Sequence, residues 1–158
     1  MPPDVLQLED TIIKPRFFLP AAPKPAGSYK PWILAGNLLY ISGQFPIQNG
    51  RVVYTGRVGD ECTEADGYAA ARLSALNVLA QIHAALKGFD SLTTLLRVEG
   101  HIASAPGWQN APKVLDGASE LFNEVLGERG RHTRTAFTPT QLPLKATVEL
   151  VVTAEVEC

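Results

Sequence analysis

The sequence predicts an α+β fold: a single mixed β-sheet with two long helices packed on one face. Two stretches, one after Thr63 and one after Asn110, repeat apolar residues at helical spacing. Segments rich in β-branched and aromatic residues precede, separate and follow them. Two helices of this length, with one strand between them, need a common apolar partner, and one sheet face supplies it.

Residues 1–28 carry Pro2, Pro3, Pro15, Pro20, Pro23 and Pro25. That density denies helix and predicts an extended N-terminal arm lying over the surface of one domain, residues 29–158. Ile33-Leu34, Leu38 to Ile41 and Arg51 to Tyr54 then read as an antiparallel meander, broken at Gly36-Asn37 and at the turn dipeptide Asn49-Gly50. Thr63 with Asp66 three residues on is a capping-box variant. It opens a helix whose inner face is expected to carry Ala69, Leu73, Leu76, Leu79, Ala80, Ile82 and Leu86, with Gly88 ending it. Leu92 to Ala103 forms the next strand. Asn110-Ala111-Pro112 opens the second helix, with Val114, Leu115, Ala118, Leu121, Phe122 and Val125 inward and Gly127 closing it. Thr133 to Thr138 and Thr147 to Glu155 return to strand. In the last, Val148, Leu150, Val152 and Ala154 face one way and Glu149, Val151, Thr153 and Glu155 the other. Apolar residues on both parities predict that the sheet's second face is buried against other subunits.

Composition narrows the function. At 158 residues, 46% hydrophobic and 19% charged, the chain is sized for one globular domain with a real core. No apolar run reaches the roughly 18 residues of a membrane span, and no basic segment precedes an apolar core as in a secretory leader, so no membrane and a cytoplasmic location are expected. Cys62 and Cys158 are expected as free thiols. A net charge of −2 without a basic stripe argues against nucleic acid. His83, His101 and His132 do not share a ligand-like spacing, so no metal is expected. Glycine-rich phosphate loops, GxSxG, CxxC and HExxH are absent from the sequence.

What stands out is Gly27-Ser28-Tyr29, then Ser42-Gly43-Gln44-Phe45-Pro46, then Arg134 eight residues before Leu142-Pro143 and fifteen before Glu149. With Pro112 to Ser119 in the second helix, these pieces over residues 20–157 resemble the Rid (reactive intermediate deaminase) family, also called the YjgF family. The resemblance implies a chorismate-mutase-like fold, a homotrimer with pockets between subunits, and no cofactor. It also implies attack of water on the imine of a 2-imino acid, releasing ammonia and a 2-keto acid. Arg134 and Glu149 would be catalytic, and Tyr29, Ser42, Gly43 and Asp116 would line the pocket.

The residue types suit that chemistry. A guanidinium meets a carboxylate through a planar fork of donors, which orients the neighbouring imine carbon. A carboxylate can take a proton from water or orient it, and a phenol can donate to the substrate or close over it. Each residue also has a plainer role open to it. Arg134 follows Arg129 and Arg131 and can be a solvated charge, and Glu149 can serve solubility on an outer strand face. Tyr29 can pack at a strand start, while Ser42-Gly43 can be a backbone feature.

Many relatives carry asparagine where this chain has Asp116, and the best-studied subgroup carries cysteine where it has Ala136. A charge at Asp116 opposes a carboxylate substrate unless Arg134 pairs with it. Two other readings therefore stand beside the enzyme: a metabolite-binding protein using the same pocket, and an endoribonuclease, which the acidic balance disfavours.

Overall fold

The computed structural model describes residues 12–14 and 17–157. Of the prolines expected to mark the arm, Pro20, Pro23 and Pro25 fall within that range; Pro2, Pro3, Pro15 and Cys158 lie outside the described residues. The strands are β1 (Ile12–Lys14), β2 (Phe17–Phe18), β3 (Trp32–Ala35), β4 (Leu38–Gln44), β5 (Ile47–Gln48), β6 (Arg51–Val52), β7 (Leu92–Ile102), β8 (Thr133–Phe137) and β9 (Val148–Val156). The helices are α1 (Glu64–Leu86) and α2 (Ala111–Leu126), with short 3-10 turns at Gly127–Gly130 and Pro143–Lys145.

Five strands form the main sheet in the order β3-β4-β9-β7-β8. Only β7–β8 is parallel, because α2 lies between them as a crossover. The sheet is mixed and both helices cover one face, as the sequence predicts. The meander differs. Arg51–Val52 pairs with Ile47–Gln48 in a separate hairpin and does not join the main sheet. Its turn holds Asn49 and Gly50 at φ of 52° and 76°, the twist a two-residue hairpin requires. Asn77 on α1 takes over as its anchor, donating from Nδ2 to the carbonyls of Phe45 and Ile47 at 2.9 and 3.0 Å.

Helix α1 starts where expected, with the full reciprocal capping box of Thr63 and Asp66. It stops one residue before the expected glycine, at a left-handed Lys87. Its inner face is also rotated from the expected one. Gly67, Ala70, Ala71, Ser74, Ala75, Val78, Leu79 and Ile82 are buried, while Ala69, Leu73 and Leu76 are only partly covered. Small residues win because they admit the closest approach. At the α1–α2 crossing, for instance, a Cβ on Gly117 would run into the Tyr68 backbone carbonyl. Helix α2 buries all six of its expected inward residues.

Strand β9 is the clearest link from pattern to packing: Val148, Leu150, Val152, Ala154 and Val156 are buried, and the residues between them are partly exposed. The buried set faces the helices and forms the core with Leu39, Ile41, Val98, Phe122 and Leu115. The arm's described part is tied down by Leu19 in that core and by Gln81, whose Nε2 donates to the Pro23 carbonyl at 2.8 Å. Among the described residues no helix is long and apolar enough to cross a membrane.

Candidate functional site

Register decides which face each site residue occupies. Arg134 on β8 sits opposite Val98, which sits opposite Val152 on β9. Both valines are fully buried, so Arg134 belongs to the helix-covered face. Glu149 on β9 sits opposite His101, which sits opposite Phe137 on β8; this row lies on the open face. Two strand spacings and three residues of offset put the two backbones roughly 14 Å apart. Within one chain the two expected catalytic residues do not meet.

Each gathers its own half-site. At the β8 edge, Arg134 Nη1 donates to Asp116 Oδ1 at 2.8 Å and to Ser119 Oγ at 3.0 Å, and Nη2 donates to the Pro112 carbonyl at 3.3 Å. Asp116 thus pairs with the arginine. Its three-residue spacing from Ser119 puts both on one side of α2, over β8. Ser119 Oγ lies 2.8 Å from His132 Nε2, and His132 Nδ1 lies 2.6 Å from the Gly130 carbonyl. Burial first, then the charge of Arg134, pushes the His132 pKa below the usual histidine value, against the Gly130 hydrogen bond. A depression of about 350 Å³ opens beside this group, lined by Ser119, Asn123, Arg131, His132 and Arg134.

The second half-site surrounds a β-bulge in β4. Ile41 opposes Val152 and Gln44 opposes Leu150, so Ser42 and Gly43 together face one residue of β9. A Cβ on Gly43 would meet the Glu149 carboxylate and force that side chain to move. Ser42 Oγ donates to the Lys30 carbonyl at 2.6 Å, and Ser42 N–H donates to the Pro31 carbonyl at 2.9 Å. The hydroxyl's proton therefore fixes the preceding loop. Tyr29 on that loop is 48% exposed, and its phenolic oxygen accepts from the Ala26 N–H at 3.0 Å. Tyr29 and Gly43 line a crevice of about 20 Å³ with Pro31 and Phe45. Burial raises the Glu149 pKa above the usual carboxylate value, opposed by His101.

His101 is a neighbour that sequence reasoning missed. It stacks on Phe137 with ring centroids 5.0 Å apart, and its Nε2 lies 4.0 Å from Glu99 Oε2. Only the register, which the sequence does not reveal, shows that it adjoins Glu149. His132 and Ser119 were also missed, although His132 shares strand parity with Arg134 and Ser119 is one helical turn beyond Asp116. Among the described residues no group of three or more His, Cys, Asp or Glu is placed to hold a metal ion.

The open face is partly apolar. Ile33 and Tyr40 are each 49% exposed and directly paired, and Phe137 is 43% exposed. Both sheet edges, β3 and β8, lack a further strand among the described residues.

Comparison with known proteins agrees with the fold. A family described as "YjgF/chorismate mutase-like, putative endoribonuclease" matches residues 9–156. Protein TCP17 of Trypanosoma cruzi is 38% identical over 133 residues, 84% of this chain and 83% of that protein. The crystal structure of Atu1372 from Agrobacterium tumefaciens, a protein of unknown function, superposes with a TM-score of 0.87 at 37% identity, covering 97% of this chain and 99% of that one. RidA from the Antarctic bacterium Psychrobacter shares the fold at a TM-score of 0.60 and 24% identity, covering 85% of this chain and 94% of its own.

Proposed function

Because the chain belongs to the YjgF/Rid family, we propose that it hydrolyses small 2-imino acids and their enamine tautomers to 2-keto acids and ammonia, without a cofactor, in pockets between the subunits of a homotrimer. The observation that carries this reading is the split site. Arg134 lies at a free sheet edge and Glu149 on an open, partly apolar face, so edge-to-face association of two copies is the arrangement that unites them.

In such a pocket the free edge of the Arg134 guanidinium holds the substrate carboxylate and fixes the imine carbon. Glu149 of the neighbouring copy takes a proton from the attacking water. Its raised pKa brings it closer to the operating pH, which suits a general base. Water adds across the C=N bond, Glu149 passes its proton to the nitrogen, and the hydroxyl proton then also moves to nitrogen as the C–N bond breaks, giving the ketone and ammonia.

The test is turnover of 2-iminobutyrate generated in situ. Wild type should release 2-ketobutyrate, and Arg134→Ala and Glu149→Gln should each be at least about tenfold slower. Mixed assemblies of the two variants should regain up to about a quarter of wild-type activity, since one pocket in four then carries both intact residues. Equal rates for wild type and Arg134→Ala would sink the proposal.

The Asp116–Arg134 pair supports a second reading, in which the pocket binds a small metabolite without turnover, because the guanidinium is already neutralised. A ligand that raises the melting temperature, with no turnover across a panel of imines, selects it. An endoribonuclease remains disfavoured: the net charge is −2 and the face around Glu149 also carries Glu99 and Glu155.

A further inference from the structure

Hydrogen-bond polarity along the Arg134 half-site can be read in one direction. A carbonyl oxygen only accepts, so the 2.6 Å contact to Gly130 puts a proton on His132 Nδ1. In the neutral ring Nε2 then carries a lone pair and accepts from Ser119 Oγ at 2.8 Å. With its proton spent there, Ser119 accepts from Arg134 Nη1 at 3.0 Å, while the second Nη1 proton goes to Asp116. One Nη2 proton goes to the Pro112 carbonyl. What remains is one Nη2 proton and the Nε–H, which has no acceptor among the described residues. Nε and Nη2 together form the side-on edge of the guanidinium, where a carboxylate can bind through both oxygens.

We propose that Ser119 and His132 are positioning residues: through the chain Gly130–His132–Ser119 they commit the Nη1 corner of Arg134 to the protein and turn its Nε–Nη2 edge toward the ligand carboxylate. The inference rests on the proposed carboxylate pocket and names what orients it. Without the chain, Arg134 keeps its bonds to Asp116 and to the Pro112 carbonyl but loses one of the two contacts that hold its Nη1 corner. The His132 ring is itself seated edge-on against Phe122, with centroids 5.8 Å apart, so it is a fixed acceptor.

The experiment compares wild type with His132→Phe, which keeps a ring beside Phe122 but cannot accept, His132→Gln, whose amide oxygen can accept from Ser119, and Ser119→Ala, which leaves the ring in place. Calorimetry with 2-ketobutyrate and turnover of 2-iminobutyrate are read for each. Loss of one such hydrogen bond should weaken 2-ketobutyrate binding and raise KM about fivefold in His132→Phe and Ser119→Ala, with kcat within about twofold, and His132→Gln should recover most of the loss. Nitrogen NMR of wild type should show His132 protonated at Nδ1, and Ser119→Ala should shift the Nε2 resonance even if His132→Phe fails to fold.

The two ideas fail separately. If wild type turns over the imine and Ser119→Ala matches it in KM and in binding, the positioning role is overturned and the enzymatic reading stands. If wild type shows no turnover but binding follows the fivefold pattern with rescue by glutamine, the positioning role stands and catalysis is overturned. A His132 protonated at Nε2 in wild type overturns the chain itself.

Discussion

The two faces of the main sheet are built from alternate residues of the same strands, yet they answer to different demands. On the helix-covered face, β9 contributes only aliphatic side chains, each essentially free of solvent. On the open face it contributes Glu149, Val151, Thr153 and Glu155, all partly exposed, beside Tyr40 and Ile33. One face supplies the burial that folds a single chain; the other leaves polar groups and apolar patches exposed. The Arg134 cluster sits where the first face runs out, on the edge strand beneath α2.

The sharpest way to break this contrast is to truncate neighbours. Leu150→Ala removes a side chain with no solvent exposure from the core and should cost about 2–5 kcal/mol in denaturant unfolding. Val151→Ala, one residue on but on the open face, should cost under about 1 kcal/mol in the dissociated chain. Similar costs for both would mean that the open face is covered in the folded monomer. Next in size is association. If the proposed homotrimer uses this face, Ile33→Asp, which puts a charge on the exposed apolar patch, should shift sedimentation toward the monomer and reduce turnover, while far-ultraviolet circular dichroism stays unchanged. Retention of the oligomer would place the subunit contact elsewhere. A smaller effect is expected from Gly43→Ala, which pushes the Glu149 carboxylate off the β4 bulge: turnover should fall roughly tenfold with little change in 2-ketobutyrate affinity.

Much of the first face was legible in the sequence, and the reason is periodicity. Strand β9 alternates over nine residues and α2 keeps a clean stripe, so their inward sets follow from spacing alone. Helix α1 is apolar around most of its circumference, so spacing could not choose its inner face; packing chose the small residues. The hairpin at Asn49-Gly50 was legible as a turn, but not its separation from the main sheet, where Asn77 of a distant helix binds the carbonyls of Phe45 and Ile47. The site was legible as residue types and not as geometry. Strand β8 has only five residues and no clean alternation, so nothing local says that Arg134 faces α2, although the alternation of β9 already turns Glu149 away from the helices. The same missing register hid His101 from its place beside Glu149.

The smallest expected effect tests whether the Glu149 carboxylate is held against its own preference. Burial raises its folded-state pKa, whereas in the unfolded chain it titrates near about 4.3. The folded chain then binds more protons than the unfolded one between those two values, so the stability attached to this group is present in acid and is lost as the pH rises through the folded pKa. Glu149→Gln cannot lose it. Compared in the Ile33→Asp background to keep the chain monomeric, the two proteins should unfold alike in acid. Above the folded pKa the glutamine variant should be the more stable, by on the order of a few tenths of a kcal/mol, since the group is partly exposed and solvent screens it. A variant that gains stability where it loses turnover marks a side chain kept for chemistry. If the difference runs the other way, with wild type more stable at neutral pH, then His101 outweighs burial and the pair contributes to stability.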